Sequence, residues 1–253
     1  MSLDPLLFTN DIWLLAIMLS ILLFAGAVKG FLGIGLPTTA MALLTLVIEP
    51  TTAISLLAVS IIATNGVQYT RCESPLYIAK KYWLFGISII VSIFFTSLII
   101  LSIPTEMLMI SIGFSLVVFS LTQMVGKRVP ISASHFWHVI VGLFAGVLGG
   151  MSSIWSPPVV MYLVNQNVTK EEFIGATGFL FFISSIPLAM GLTFAGVLTF
   201  ETTLQSISVL FIVMVGFWIG EQMRSFVPQG MFKKIVLWVF LIMGFRLIVL
   251  SLF

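Results

Sequence analysis

Apolar residues run in long unbroken stretches along this chain, and the polar ones gather in short gaps between them. A helix that crosses the hydrocarbon core of a bilayer takes about 20 mostly apolar residues. By that measure six stretches predict single spanning helices: 51–70, 82–101, 107–125, 172–191, 203–220 and 231–253. Two others, 12–48 and 135–168, are too long for one span, and Gly and Pro cut each in its middle. The first cut passes through Gly26, Gly30, Gly33 and Gly35 to Pro37. The second passes through Gly146, Gly149 and Gly150, then Ser152-Ser153-Ile154-Trp155-Ser156, to Pro157. Each region reads as a helical hairpin with a glycine-rich elbow, its second helix opening at a proline, which suits a first helical turn. The returning helices, 37–48 and 157–168, have twelve residues each, or about 18 Å. That is short of a bilayer core of about 30 Å, so their N-termini are expected inside the membrane.

The two elbows are copies of each other. Leu23-Phe24-Ala25-Gly26 lies on Leu143-Phe144-Ala145-Gly146, and Gly30, Ile34, Pro37 and Met41 lie on Gly150, Ile154, Pro157 and Met161. Further on, Pro104 and Met107 correspond to Pro228 and Met231 after a small change of length. The chain therefore reads as an internal duplication, 1–126 and 135–253, joined by a linker at 127–134.

Charge sets how the halves sit. Arg71, Lys80, Lys81, Lys127, Arg128, Lys170, Arg224, Lys233 and Lys234 fall in four connections, and the opposite ends carry no Lys or Arg. The positive-inside rule places those four connections in the cytoplasm. All of them reach one face only if each hairpin leaves and returns on the same side, and the halves then have opposite orientation. The expected fold is an all-α polytopic membrane protein of two inverted repeats, each a broken hairpin followed by three transmembrane helices, as in many secondary transporters. Its place is the cell (inner) membrane, with both termini extracytoplasmic. Met1-Ser2-Leu3-Asp4 lacks the basic start of a cleaved signal. Thr169 and Glu172 read as a capping box that opens the helix at 172–191.

Composition narrows the function. With 60% apolar and 8% charged residues the chain is unlike a soluble domain, and a net charge of +2 offers no basic surface for nucleic acid. Cys72 is the single cysteine, so no thiol cluster, metal or cofactor is expected. The partners implied are the lipid bilayer and a small anion; nothing in the pattern sets an oligomeric state. Two half-helix N-termini entering from opposite faces would turn unpaired N–H groups and positive dipole ends on one cavity near the midplane, which makes an anion site. The candidate binding residues are Lys29, Gly30, Gly33, Gly35, Thr38, Asn65, Gly150, Ser152, Ser153, Trp155 and Ser156. Thr39, Gln68, Ser184 and Ser185 are neighbours that could line the cavity. Close helix packing is the competing explanation for any one glycine or serine here. For Lys29 and Arg246 the competing explanation is snorkelling to the surface. His135 and His138 stand one turn apart without a third ligand, which favours interfacial residues over a metal site. The Gly30–Gly35 run lacks the strand context of a nucleotide-binding loop.

The duplicated pattern Gly26-x3-Gly30-x2-Gly33-x-Gly35-x-Pro37, its copy at Gly146-x3-Gly150 and Pro157, and the terminal Gly244-x-Arg246-Leu247 resemble the sulfite exporter (TauE/SafE, or TSUP) family. The resemblance spans almost the whole chain and implies export or uptake of small sulfur-containing or organic anions such as sulfite or sulfonates. The second elbow departs from it, with serines and Trp155 where further glycines are expected. A membrane enzyme would need a nucleophile–base pair or metal motif, and the sequence has no HExxH or GxSxG. A structural or assembly protein, or a carrier of a non-sulfur anion, remains the alternative. The topology has a direct check. Tags at both termini should react with impermeant reagent in intact cells while Cys72 stays unlabelled, and a labelled Cys72 with a protected N-terminus contradicts the inverted arrangement.

Overall fold

The computed structural model describes residues 11–125, 134–223, 226 and 229–252, with the backbone alone for 229–233. Lys127, Arg128, Arg224, Pro228, most of the linker and the first ten residues lie outside the described residues, as do the side chains of Met231 and Lys233. Ten α-helices follow one another: α1 (Ile12–Leu32), α2 (Leu36–Leu44), α3 (Pro50–Thr70), α4 (Pro75–Leu98), α5 (Thr105–Val125), α6 (His135–Ser152), α7 (Ser156–Asn165), α8 (Lys170–Phe194), α9 (Phe200–Met223) and α10 (Gln229–Leu252). No strand occurs among the described residues. Among the described residues eight helices are long and apolar enough to cross a membrane. The exceptions are α2 and α7, with nine and ten residues. The protein is an all-helical, multi-pass membrane protein.

Both elbows form by the same backbone move. Gly33 takes a left-handed φ of +78° and its N–H donates to Lys29 O at 2.8 Å, ending α1. At the repeat-equivalent position Ser153 takes φ +57° and donates to Gly149 O at 2.8 Å, ending α6. For an L-residue this conformation costs about 1–2 kcal/mol, so the second elbow keeps the glycine geometry with a side chain in place. Gly35, at φ +102°, turns the chain into α2. Pro37 and Pro157 are each the second helical residue, where a missing N–H loses no bond.

Some boundaries differ from expectation. The helix expected at 82–101 starts at Pro75, so Lys80 and Lys81 ride on α4 instead of lying in a loop. The returning helices end early, at Leu44 and Asn165, and the chain closes each hairpin through a turn. α1 has 21 residues, about 31 Å, so it covers the hydrocarbon thickness before it turns. Its last turn lies against the end of α9, where Gly30 meets Phe217 and Glu221. The backbone of the first elbow therefore stands beyond the middle of the bundle, and side chains make up the difference.

Small residues bring the helices together. A Cβ on Gly26 would lie 2.3 Å from Val213 O and one on Gly30 2.0 Å from Phe217 O. From the other side, a Cβ on Gly216 would lie 2.1 Å from Leu23 O and one on Gly220 2.0 Å from Ala27 O. α1 and α9 thus touch backbone to backbone. α6 presses Gly142, Gly146 and Gly150 onto Ser88, Ser92 and Thr96 of α4 in the same way, and α5 meets α10 at Gly113 and Gly244. Exchanging the halves turns the α1–α9 pair into α6–α4, while α3–α8 and α5–α10 map onto themselves. At the centre, 61% of the most apolar window of α3 and of α8 is buried, against 28–39% for the other spans. Polar ends gather at one pole, where Arg71 of α3 pairs with Glu221 of α9 at 3.1 Å and Lys81 of α4 bonds Glu172 of α8.

Replacing Gly30 or Gly216 by Leu should lower the melting temperature of the purified protein markedly, because overpacking a tight contact costs about 1–3 kcal/mol or more. An unchanged melting temperature would mean that α1 and α9 are not in backbone contact.

Candidate functional site between the elbows

Lys29, on the last turn of α1, is 1% exposed. Its Nζ donates to Asn65 Oδ1 at 2.6 Å and to Gly33 O at 3.1 Å, and stands 5.8 Å from the centre of the Phe181 ring. Asn65 donates its own amide to Ile61 O at 2.8 Å, which fixes its oxygen towards the lysine. This inward geometry is the opposite of snorkelling. The ring of Trp155, from the second elbow, lies 5.8 Å from the same Phe181 ring at a near-perpendicular angle of 83°. Phe181 sits near the midpoint of α8, so a residue of each elbow reaches one place in the middle of the bundle. The first turns of the two half-helices also touch: Thr38 Oγ1 and Ser156 Oγ are 3.2 Å apart.

Polar atoms left over at this junction give it its chemical character. Ser153 Oγ, Trp155 Nε1 and Thr39 Oγ1 are buried without a hydrogen-bond partner, three of the seven such atoms among the described residues. Leaving a buried donor unmet costs about 1–3 kcal/mol per group, and these three belong to the second elbow and to the first turn of α2. Trp155 Nε1 can only donate, the hydroxyls can donate, and Lys29 Nζ has three donor positions. The acidic residues of the spans stay at helix ends, with Glu106, Glu171, Glu172 and Glu201 in first turns. A site with this donor excess suits an anion.

Other expected site residues have different work. Gly30 and Gly150 face α9 and α4, where a Cβ would come within 2.0 Å of Phe217 O and 2.6 Å of Thr96 Cβ. Close packing explains both. Ser152 Oγ donates to Leu148 O at 2.6 Å and accepts from Ile154 N–H at 3.1 Å, so it ties the elbow to itself. Gly33 and Gly35 are held by their positive φ, and a Cβ would have no atom closer than 3.9 Å and 3.5 Å. Gln68 fastens α3 to α8 through Ile174 O at 2.9 Å and Thr177 Oγ1 at 3.1 Å. Ser184 and Ser185 donate to carbonyls of their own helix, and Arg246 is exposed. No group of three or more His, Cys, Asp or Glu able to hold a metal occurs among the described residues. Phe181 was not legible in the sequence, being one of 23 phenylalanines in an apolar run.

Eight helices long and apolar enough to cross a membrane and two short ones in broken hairpins, among the described residues, define a polytopic membrane protein. The chain belongs to the sulfite exporter TauE/SafE family, whose sequence model matches residues 18–247 and so takes in both elbows. It is thereby a membrane transporter of the sulfur-anion class, from a family of transporters and not of enzymes. Neither a curated protein nor a solved structure matches it.

Asn65→Ala removes the 2.6 Å acceptor of a buried ammonium and should destabilise the protein by about 1.5–3 kcal/mol, read as a fall in melting temperature. Asn65→Asp should restore that stability, since a carboxylate accepts from the ammonium more strongly. If both variants melt like the wild type, Lys29 does not depend on Asn65.

Proposed function

We propose that the protein moves sulfite or a small sulfonate across the inner membrane, outward, through a site between the first turns of α2 and α7. The observation that carries this reading is that the second elbow and the first turn of α2 hold buried, unmet polar atoms, on Ser153, Trp155 and Thr39, while Thr38 and Ser156 join the two half-helices at 3.2 Å. Lys29 supplies the positive charge, Gly33 and Gly35 let the backbone turn beside the anion, and Asn65 holds the lysine in position. The two helix N-termini add their dipoles to the same charge.

The inverted relation of the halves, 1–126 and 135–253, is part of the proposal. Its support is the exchange of helix pairings between halves and the matching left-handed turns at Gly33 and Ser153. With all four cationic connections in the cytoplasm and both termini outside, the hairpins enter from opposite faces. Export then needs no coupling ion, because an inside-negative membrane drives each negative charge outward with about 2.3 kcal/mol per 100 mV.

Proteoliposomes loaded with radiolabelled sulfite, sulfate or taurine test the reading. Wild-type protein should pass sulfite or taurine faster than sulfate, and sulfite flux should follow an imposed potential. Lys29→Ala should weaken binding by about 1.5–3 kcal/mol, the worth of a charge-assisted hydrogen bond, and leave measurable flux. Lys29→Glu should stop transport. Gly33→Val should abolish flux while the protein inserts at normal levels, since a β-branched residue is strained at φ +78°. Normal transport by Lys29→Glu would remove Lys29 from the site.

A further inference from the structure

A cavity of about 380 Å³ opens where the starts of α6 and α8, the second turn of α4 and the end of α7 come together. Lys81, Tyr82, His135, His138, Tyr162 and Glu172 line it. It lies at the opposite end of α7 from Ser156, so the ten residues of that helix separate it from the elbows, a distance of about 15 Å. The same pole carries Arg71 and Lys170, the face that the cationic connections assign to the cytoplasm.

The cavity already holds one anion of its own. Lys81 Nζ and Tyr82 Oη, the latter at 2.6 Å, both donate to Glu172 Oε1. The Lys81 side chain keeps 40% of its surface exposed and that of Glu172 keeps 17%, so the lysine is open to a solute while the carboxylate is mostly enclosed. His138 is packed among the rings of Tyr82, Phe85 and Tyr162, with centroids 5.9, 5.6 and 5.2 Å away, and its Nδ1 is buried without a partner. Thr169 Oγ1 takes the N–H of Glu172 at 3.2 Å, and the Glu172 carboxylate turns into the cavity, towards Lys81 and Tyr82. The helix starts of α6 and α8 point their positive ends at this space.

The duplication shows that this chemistry is not general to the scaffold. At the spacing that sets Gly150 on Gly30, the counterparts of His138, Tyr162, Gln166 and Asn167 are Met18, Ala42, Leu46 and Val47. At the same spacing Lys81, Tyr82, Thr169 and Glu172 correspond to Glu201, Thr202, Glu49 and Thr52, so the other mouth keeps polar residues but lacks the ammonium, the imidazole and the amides.

We propose that this cavity is a second oxyanion site, a loading site at the cytoplasmic mouth, where a sulfur oxyanion displaces the Glu172 carboxylate from Lys81 and accepts a hydrogen bond from His138. A carboxylate and a sulfite or sulfonate head offer the same acceptor oxygens to an ammonium. The assignment of ligand class rests on the transport reading above.

Equilibrium binding of radiolabelled sulfite to the full-length protein in nanodiscs tests it. Lys29→Glu, which removes the elbow site, should leave one class of site. In that background Lys81→Gln should weaken binding at least tenfold, Lys81→Arg should stay within threefold, and Glu172→Gln should tighten binding at least threefold by removing the competitor. Opposite signs for Lys81→Gln and Glu172→Gln distinguish a binding site from a purely structural ion pair, which loses its function equally from either side. Loss of all binding in Lys29→Glu overturns the inference, and so does a shift of both variants in one direction. If Lys81→Gln does not fold, Glu172→Gln decides alone, and unchanged or weaker binding overturns the inference. Wild-type flux in proteoliposomes separates this from the transport reading. Flux with no binding left in Lys29→Glu sinks the loading site alone, whereas Lys81-dependent binding with no flux sinks the transport reading alone.

Discussion

A helix that begins inside a bilayer has first-turn N–H groups that only protein or a bound ligand can accept, because hydrocarbon offers no acceptor. α2 and α7, too short to span, both begin at elbows buried within the bundle, and the rest of the structure follows from that constraint. The spans surround them, so the irregular backbone at Gly33, Gly35 and Ser153 is enclosed. The side chains nearest the two starts are hydroxyls, an indole and an ammonium, and several of their donors have no acceptor within the protein. A small anion is the ligand proposed to answer such a set.

Enclosure in turn depends on how closely the spans approach. Lipid chains provide little drive for one apolar helix to prefer another, so contact geometry decides the pairing. Gly26, Gly30, Gly216 and Gly220 let α1 and α9 touch through backbone atoms, and Gly142, Gly146 and Gly150 do the same for α6 on α4. The outer pairs fix where the elbows end, and α3 and α8 fill the centre with Asn65, Gln68 and Phe181. Lys29 belongs to both systems, since its backbone ends the packed helix α1 and its side chain reaches Asn65 on α3.

Much of this was legible in the sequence, and the reasons are physical. Helix length and polarity give away a span, and Gly with Pro inside an apolar run gives away a broken one, so the two hairpins stood out. The spacing that lays Gly30 on Gly150 also lays Gly33 on Ser153, and both take a left-handed φ. Gly30 and Gly150 show the limit. One-dimensional spacing cannot say whether a glycine near a break faces a ligand or a neighbouring helix, and both face helices. Lys80 and Lys81 show another, because amphipathic first turns of a span read as loop by hydropathy. Phe181, in contact with Lys29 and Trp155, carries no sequence signal at all.

Anomalous diffraction from crystals soaked in selenite, the heavier analogue of sulfite, tests the central claim most directly. The account predicts a selenium peak between the elbows, within hydrogen-bond distance of Ser153 Oγ, Trp155 Nε1 and Lys29 Nζ, and its loss in Lys29→Glu. A protein that transports sulfite while its selenium lies only elsewhere, with the elbow donors still unmet, would contradict it.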